Sequence, residues 1–384
     1  MTAPESPADV LVIGGGITGA VAAYRVAQAG ARVVLVDRYD LGTQASGRNA
    51  GSLHAQIQHA SFTAGGEEWA RAWAPSLALL TDSLALWHGL SDELGTDLEV
   101  QTNGGLLVAA THDQLRDVER KVAIENAFGI ASRMLDRDEL RREAPYVSEA
   151  MVGAELCPPE GKANPLLATA AVARAAVAAG ADVRRATEVV ALARDGDGFA
   201  ATTAGGTTLH ARRLVCAGGA DLPQLTRMLG VDLPVAGEPM QVNVTESVAP
   251  LVGHLVYYAG GPLTLKQARV GSLLIGGGWP ARSHPVSGRP VVDLGGMRRN
   301  LAIAREVVPA VGRARVLRTW VGVNNATPDQ RPIIGPIASV PGLVVGTFPY
   351  LGFTAGPLMG ALLADLALGR KPEHDLAPFA PDRF

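Results

Sequence analysis

The first forty residues combine two apolar runs with a glycine-rich turn and an alanine-rich stretch. Val10–Ile13 and Val33–Val36 are short and rich in β-branched residues, which is typical of strands buried on both faces. Between them, Ala20–Ala29 favours a helix, and Gly30 is suited to end it. The pattern predicts a strand, a turn, a helix and a second strand that ends at Asp37.

Helical periodicity returns in five later stretches. In the longest of them, tryptophan and leucine residues recur at helical spacing, and this stripe indicates a surface that faces the core rather than a binding surface. The predicted helices cover residues 67–99, 112–128, 164–180, 293–308 and 354–368.

Strand-like segments fill much of the remaining chain. Alternation over 187–209, interrupted by glycine turns, predicts a meander that leads to a buried strand at 214–217. Further strands are predicted at 105–110, within 235–278, at 315–323 and at 343–345. Because no internal repeat or linker separates these segments, we expect domains that interleave along the chain.

Composition narrows the class of protein. The chain has 384 residues, enough for two or three domains, and its 34 basic and 37 acidic residues give a net charge of −3. Without a basic excess, no nucleic-acid partner is expected. The two isolated cysteines, Cys157 and Cys216, argue against a disulfide scaffold, a zinc site and an iron–sulfur cluster held by cysteines of this chain.

The sequence also indicates where in the cell the protein is expected. Residues 1–9 lack a basic region followed by an apolar stretch, as a targeting signal would have. Arg174 and Asp365 interrupt the two most apolar stretches before either reaches the roughly 18 residues of a membrane helix. We therefore expect a cytoplasmic protein with no membrane span and no metal site.

The glycine-rich turn has the spacing Gly14-x-Gly16-x-x-Gly19 between a strand and a helix. In this context the first glycine permits a tight turn, the second lets the backbone approach a pyrophosphate, and the third lets the helix pack on the strand. Asp37, 18 residues beyond Gly19, is placed to accept hydrogen bonds from ribose hydroxyls. Arg38 beside it is either a ligand for a 2′-phosphate or a solvated surface residue. The motif predicts a bound dinucleotide but does not distinguish NAD from FAD.

A polar loop follows the second strand directly. Residues 45–54 read ASGRNAGSLH, with small residues, one arginine and one asparagine. Such a run can gather backbone N–H groups and a cation around a second phosphate and an approaching ring. The alternative is a tight polar loop with no ligand.

Motifs along nearly the whole chain give it a resemblance to a known family. Besides the turn, they include SGRNAGSLHAQ at 46–56, CAGG at 216–219, LIGGG at 274–278, TPDQRPIIGPI at 327–337 and GFTAGP at 352–357. With these the chain resembles the D-amino-acid oxidase family of flavoproteins, which includes glycine and sarcosine oxidases. Within that family it resembles most the beta-subunit-like branch of opine oxidase, hydrogen cyanide synthase and D-hydroxyproline dehydrogenase.

The resemblance implies an FAD-binding site formed by several segments of the chain. The glycine turn would hold the pyrophosphate, Asp37 and Arg38 would face the adenosine ribose, and the loop after the second strand would run beneath the flavin. No cysteine lies in a motif for flavin attachment, so the resemblance implies non-covalent FAD. The implied cofactor residues are Gly14, Gly16, Ile17, Thr18, Gly19, Asp37, Arg38, Ser46, Gly47, Arg48, Asn49, Ala50, Gly51, Ser52, Leu53, Val189, Ala217, Gly218, Gly219, Leu351, Gly352, Phe353 and Thr354.

The substrate side departs from the family pattern. Relatives that oxidise small amino acids carry an arginine that grips the substrate carboxylate, and the matching position here is Asn324. Either another cation has taken over, with Lys266 as the local candidate, or the substrate lacks the usual carboxylate. Lys266 can equally be a solvated or structurally paired residue, and His54 a structural one. The implied substrate residues are His54, Thr264, Lys266, Asn324 and Tyr350.

These observations predict an α/β protein with a Rossmann-like FAD domain interleaved with a smaller α+β domain that carries a mixed, antiparallel-rich sheet. The FAD domain is expected at 1–85, 162–234 and 325–384, and the substrate domain at 86–161 and 235–324. The predicted activity is oxidation of a C–N bond in a D-amino acid, an N-substituted amino acid or an opine-like secondary amine, with FAD as the hydride acceptor.

Two alternatives stay open. The chain can be the flavoprotein subunit of an electron-transfer complex with an iron–sulfur partner subunit, weakly active alone. It can also be a pyridine-nucleotide dehydrogenase that shares only the glycine motif.

Overall fold

A computed structural model describes residues 7–384 of the chain. Its α-helices, α1 to α10 in order, are Ile17–Gln28, Ala45–Arg48, His59–Trp73, Ser76–Glu93, His112–Ala127, Arg137–Glu143, Pro165–Ala178, Leu222–Arg227, Leu294–Val307 and Gly352–Ala367.

The strands complete the secondary structure. They are, as β1 to β20 in order, Ala8–Ile13, Val33–Val36, Ser52–Leu53, Gly105–Ala109, Arg133–Asp136, Gly153–Cys157, Gly161–Lys162, Asp182–Arg184, Val189–Asp195, Gly198–Thr203, Thr208–Cys216, Ala236–Ser247, Leu255–Tyr258, Thr264–Gln267, Ser272–Gly276, Arg282–Ser283, Pro290–Val291, Val316–Ala326, Ile333–Pro336 and Leu343–Thr347.

One sheet contains the predicted N-terminal unit. Its strands run in the order β19-β20-β11-β1-β2-β8, and the pairs of β1 with β2 and β11, of β2 with β8 and of β11 with β20 are all parallel. The predicted meander is confirmed, because β9, β10 and β11 pair antiparallel. Helix α1 packs between α7 and α10, so its alanine-rich face is buried in the largest apolar core.

The second sheet has the order β18-β12-β15-β14-β13-β4-β6-β5. Every pair is antiparallel except β13 with β4, so the predicted mixed, antiparallel-rich sheet is confirmed. It takes its strands from 105–157 and 236–326, whereas the first sheet uses 8–36, 182–216 and 333–347. The segments of the two sheets thus alternate along the chain, and the division into domains stays a prediction.

The prediction of one helix over 67–99 is wrong. The segment forms two helices, α3 and α4, which meet at Ala74 and Pro75. Pro75 has no N–H to donate to the preceding turn, so it starts the second helix instead of continuing the first. The predicted core stripe survives the break, because Trp73, Leu80 and Trp87 are all buried.

Other predicted helices agree with the structure to within three residues at each end. Helix α5 begins at a capping box in which Thr111 and Gln114 satisfy each other's backbone N–H groups. Asn164 and Asp293 cap α7 and α9 with their side-chain oxygens. Between residues 7 and 384, no helix is long and apolar enough to cross a membrane.

Candidate active site

The glycine turn between β1 and α1 is closed by backbone contacts. Gly14 has a φ of +110°, and a Cβ there would lie 2.4 Å from the Ala217 carbonyl oxygen. A Cβ on Gly19 would lie 1.9 Å from the carbonyl oxygen of Gly14. Both distances are far below van der Waals contact, so these two glycines are required by the fold itself.

Gly16 differs from these two glycines. Its φ is −70°, which any residue adopts, and a Cβ there would meet only Ser46 Oγ, at 3.0 Å. The same Ser46 hydroxyl accepts the N–H of Ile17 at 2.9 Å. The backbone therefore leaves room beside Gly16 at the start of α1, where unpaired N–H groups and the helix dipole favour an anion.

Asp37 and Arg38 lie at the end of β2. The Asp37 carboxylate accepts the N–H groups of Gly15 and Tyr39, both at 2.7 Å, so it supports the turn. Burial raises the pKa of Asp37, and these two N–H donors oppose the rise. The Arg38 guanidinium pairs with Asp221, just beyond Gly219, and so links the end of β2 to the segment that follows β11.

The other predicted residues of the adenosine side lie nearby along the first sheet. Val189 is buried at the start of β9. Ala217 donates its N–H to Ile13 at 2.8 Å, so residues 217–219 run past the end of β1.

The loop after β2 is held by its own polar side chains. Asn49 donates to the carbonyl groups of Ala45 and Ser46 and accepts the N–H of Gly51. Gly51 has a φ of +76°, and a Cβ there would lie 2.3 Å from the Ala163 carbonyl oxygen. Asn49 and Gly51 thereby fix the path of the segment that leads into β3.

The start of α10 is fastened to this loop. The Thr354 hydroxyl accepts the N–H of His54 at 3.0 Å and donates to the carbonyl of Ser52 at 3.2 Å. The Thr354 carbonyl accepts from Ser83 at 2.7 Å and from Trp87 at 2.9 Å. The N-terminus of α10 therefore points at the segment that carries Ser52 and His54.

Between these segments and the second sheet lies a cavity of about 600 Å³. Four of the five predicted substrate residues line it: His54, Thr264, Asn324 and Tyr350. So do many predicted cofactor residues, namely Arg48, Asn49, Ala50, Ser52, Leu351, Phe353 and Thr354. The turn at 14–19 lies outside the cavity wall, so an extended ligand would reach from one to the other.

Lys266 is placed differently. It lies two residues beyond Thr264 on β14, is 1% exposed, and donates from Nζ to Ser52 Oγ at 2.5 Å. The structure thus puts Lys266 behind Ser52 and not on the cavity wall. Burial, and then the charge of Lys162, lower the pKa of Lys266 to about 7.

Both histidines on the cavity wall are neutral near pH 7. Burial, and then the charge of Lys266, lower the pKa of His54 to about 3. Burial and the charge of Lys121 lower the pKa of His59 to about 4. His54 Nδ1 lies 2.7 Å from the Tyr257 hydroxyl, which belongs to the same wall.

A buried polar cluster adjoins the cavity and was not foreseen. Lys121 Nζ donates to Glu125 at 2.5 Å and lies 2.7 Å from Glu155, and all three residues are 0% exposed. Gln56, on the cavity wall, accepts from Lys121 at 3.2 Å and donates to Glu160 at 2.8 Å. Burial raises the pKa of Glu160 to about 6, against the N–H groups of Ala55 and Gln56.

Sequence reasoning also missed wall residues on β12 and β13. Glu238 and Met240 face Asn324 and Gly322 across the β12–β18 pair. Tyr257 and Tyr258 come from β13. One signal was available in the sequence: Glu238 is a charged residue inside a strand-like stretch.

Comparison with known proteins decides the family. The sequence model of the DAO family, described as FAD dependent oxidoreductase, matches residues 9–366. The chain belongs to the DAO family. The sequence-based prediction of an FAD-dependent oxidoreductase is therefore confirmed.

Individual DAO-family proteins are similar over their full length. Glycine oxidase of Geobacillus kaustophilus (strain HTA426) is 30% identical, over 98% of this chain and 97% of its own. An opine oxidase subunit of Rhizobium meliloti is 27% identical, over 98% and 97% respectively. The crystal structure of glycine oxidase from Geobacillus kaustophilus superposes with a TM-score of 0.88, at 28% identity, over 98% of this chain and 99% of that chain.

The residues of this chain fit the DAO-family cofactor. The space left at Gly16 and the start of α1 suit a pyrophosphate, and Asp37 lies at the end of the adjacent strand. The cavity below the loop at 45–54 and the start of α10 would take the flavin ring.

Proposed function

We propose that this DAO-family enzyme oxidises a C–N bond of an amine or amino acid: a D-amino acid, an N-substituted amino acid or an opine-like secondary amine. Bound FAD supplies a hydride acceptor at its N5 position, and the resulting imine is hydrolysed by water. The main support is that one cavity is lined by the loop at 45–54 (the cofactor loop), by the start of α10 and by four predicted substrate residues. These four residues are His54, Thr264, Asn324 and Tyr350.

The protein's contribution is placement and charge. The start of α10, at Leu351–Thr354, would face the pyrimidine edge of the flavin, where a helix N-terminus stabilises negative charge. The side chains opposite, on β14 and β18, would hold the substrate over the ring. Cys157 and Cys216 are both buried with raised thiol pKa values, which supports non-covalent FAD.

Two measurements test this proposal. The purified protein should be yellow with flavin absorption bands, and its flavin should bleach anaerobically with at least one member of a panel of D-amino acids, N-alkyl amino acids, opines and secondary amines that lack a carboxylate. A colourless protein that takes up NAD, or a flavin that no member of the panel reduces, would contradict it.

The glycine turn offers a matched pair of variants. Gly16→Val should abolish FAD binding, because its side chain would occupy the space needed for the pyrophosphate. Folding should survive in part, because a Cβ at this position meets only Ser46 Oγ. Gly19→Ala should damage folding itself, because its Cβ would collide with the Gly14 carbonyl. Bound FAD and circular dichroism separate the two outcomes, and stoichiometric FAD in Gly16→Val would refute the assignment.

Asn324 bears on substrate choice. Asparagine cannot neutralise a carboxylate, and loss of an arginine fork should cost a carboxylate ligand about 1.5–3 kcal/mol, or roughly ten- to two-hundred-fold in affinity. Glycine and sarcosine, which have little else to bind, should therefore be poor substrates. Efficient turnover of either would contradict this expectation.

A second candidate function is that of a subunit within a larger complex. Several relatives are named as subunits, among them the beta subunit of sarcosine oxidase from Arthrobacter sp and the opine oxidase subunit from Rhizobium meliloti. On this hypothesis the chain passes electrons to an iron–sulfur partner and is weakly active alone. Co-purification of a cysteine-rich partner from the native source would support it, and full turnover by the isolated chain would oppose it.

The cytoplasmic location stays a prediction.

A further inference from the structure

The charge on the cavity wall opposite the cofactor loop is negative. Glu238 lies on β12, directly across from Asn324 on β18, at the position where a carboxylate-binding arginine is missing. Its carboxylate accepts the Tyr350 hydroxyl at 3.0 Å. Across residues 7–384 this is the single hydrogen bond found for the Glu238 side chain, and no lysine or arginine there forms an ion pair with it.

Tyr350 is held in place to make this bond. Its φ is +59°, a left-handed backbone conformation that is uncommon for residues other than glycine. Strained residues of this kind persist where the surrounding structure fixes them, and they concentrate at ligand sites. Here the Tyr350 N–H is held by the Asn325 carbonyl at 3.3 Å, next to Asn324. The phenol is thus directed at Glu238 and leaves one carboxylate oxygen free for a ligand.

The rest of the wall supplies little positive charge. Among the wall residues of the described chain, Arg48 is the only lysine or arginine and Glu238 the only carboxylate residue, and both wall histidines are neutral. Arg48 is part of the cofactor loop, and its Nε is already donated to the Thr43 carbonyl at 2.8 Å. Lys266 is buried behind Ser52.

We infer that Glu238, oriented by Tyr350, binds a cationic group of the substrate, so that the enzyme takes an amine with a second positive charge, such as a diamine, in place of an α-amino acid. This inference rests on the proposed function and specifies its substrate class. A half-buried carboxylate without a cation is costly once the flavin and substrate exclude water, and a ligand ammonium relieves that cost. Asn324 beside it accepts or donates a hydrogen bond without adding charge.

Three ligands that differ at one end test the inference. N-methyl-1,4-diaminobutane, N-methylpentylamine and 5-(methylamino)pentanoate share a CH₃NH–(CH₂)₄ unit and end in a cation, a methyl group and an anion. Each is mixed anaerobically with the FAD-loaded protein at pH 7.5. The dissociation constant is taken from the perturbation of the oxidised flavin spectrum before any reduction, so the readout does not depend on turnover.

The wild-type enzyme should bind the diamine about tenfold or more tightly than N-methylpentylamine, and the carboxylate weakest. Glu238→Gln should remove about that tenfold preference and leave the affinity for N-methylpentylamine within about threefold. Tyr350→Phe, which keeps the ring and removes the hydroxyl, should reduce the preference partially.

Glu246→Gln is the matched control. Glu246 is the other glutamate of β12, about 26 Å along the strand from Glu238, and it is similarly half-buried. It accepts the Arg315 N–H, which a glutamine oxygen can also do. Its substitution should leave all three dissociation constants and the FAD content unchanged.

The possible failures are distinguishable. A protein that binds no FAD contradicts the proposed function. A yellow protein that binds 5-(methylamino)pentanoate best, and loses that preference in Arg48→Met, overturns the inference and leaves amine oxidation standing. Equal binding of all three ligands, absence of any spectral change with the diamine, or a preference that survives Glu238→Gln would also overturn it.

Discussion

Two buried lysines contact the two ends of the 52–56 segment, and their electrostatic environments are opposite. Lys121 is in contact with two carboxyl groups, and their charge raises its pKa in spite of burial. Lys266 has one hydroxyl partner, Ser52, and burial lowers its pKa to about 7. The first lysine is charged and structural, whereas the second changes protonation near neutral pH directly behind the cavity wall.

In the cluster around Lys121, the lysine charge is balanced by the neighbouring carboxyl groups. The Ser132 hydroxyl lies 2.9 Å from Glu125 and 2.8 Å from Glu155, although it has one proton to donate. Burial and the neighbouring Glu125 raise the pKa of Glu155, whereas Lys121 lowers the pKa of Glu125 against the effect of burial. These directions favour one cation, one carboxylate and one protonated carboxyl among Lys121, Glu125 and Glu155, with the proton on Glu155.

The largest difference should appear when each lysine is replaced by methionine. Lys121→Met leaves the Glu125 charge buried and unpaired, so the free energy of unfolding should fall by about 3–5 kcal/mol. Urea denaturation of the FAD-saturated protein measures it. A loss below about 1 kcal/mol would show that the cluster does not depend on the cation.

Lys266→Met should not be destabilising at neutral pH, and its effect should depend on pH. Between about pH 7 and 10.5 the unfolded chain keeps a proton that folded Lys266 has released, so wild-type stability rises with pH there by up to about 1.4 kcal/mol per unit. The variant should lack this contribution. Urea midpoints from pH 6 to 10 provide the test, and parallel profiles for the two proteins would contradict the lowered pKa.

The same variant tests the hypothesis that Lys266 replaces the missing arginine. If Lys266 supplied charge to a substrate carboxylate, Lys266→Met would raise KM for carboxylated substrates strongly at constant FAD content. An unaltered KM would remove Lys266 from substrate binding.

Ser52→Ala should have a smaller effect, because it removes one hydrogen bond to a buried group. We expect a loss of about 0.5–1.5 kcal/mol and a further fall in the pKa of Lys266. The pH-dependent rise in stability should then begin below pH 7. Denaturation profiles detect the shift, and an onset that stays at pH 7 would argue against control by Ser52.

The smallest change in stability is expected for a variant of Glu155, in the cluster around Lys121. Glu155→Gln imitates a carboxyl that is already protonated, so stability near pH 7 should change by less than about 1 kcal/mol. Glu125→Gln, its matched control, should cost clearly more, because Glu155 must then give up its proton to become the partner of Lys121. Equal losses from the two glutamine variants would contradict the assignment of the proton to Glu155.

The two lysines also illustrate which features of the structure could be predicted from the sequence. The helix at 112–128 was predictable from local periodicity, but the same pattern gives no reason to bury Lys121, whose carboxyl partner Glu155 is 34 residues away on β6. The glycine turn and its strand neighbours were predictable because their chemistry is local. Glu238 and Asn324 face each other only through the register of β12 and β18, which is set by long-range pairing.

The break at Pro75 was missed for a different reason. The proline was visible in the sequence, yet the apolar stripe continues at helical spacing on both sides of it, and periodicity alone favoured one helix. The constraint on the proline backbone overrides the pattern.

The bonds between Thr354 and the Ser52–His54 segment have a consequence for biosynthesis. The Ser52–His54 segment leaves the ribosome before α10, which completes the cavity wall that this segment begins. At roughly 5–20 residues per second, the interval between translation of Leu53 and Leu351 is about 15–60 s. The cavity therefore stays open on this side throughout that interval, and a cofactor can be enclosed only after α10 has been made.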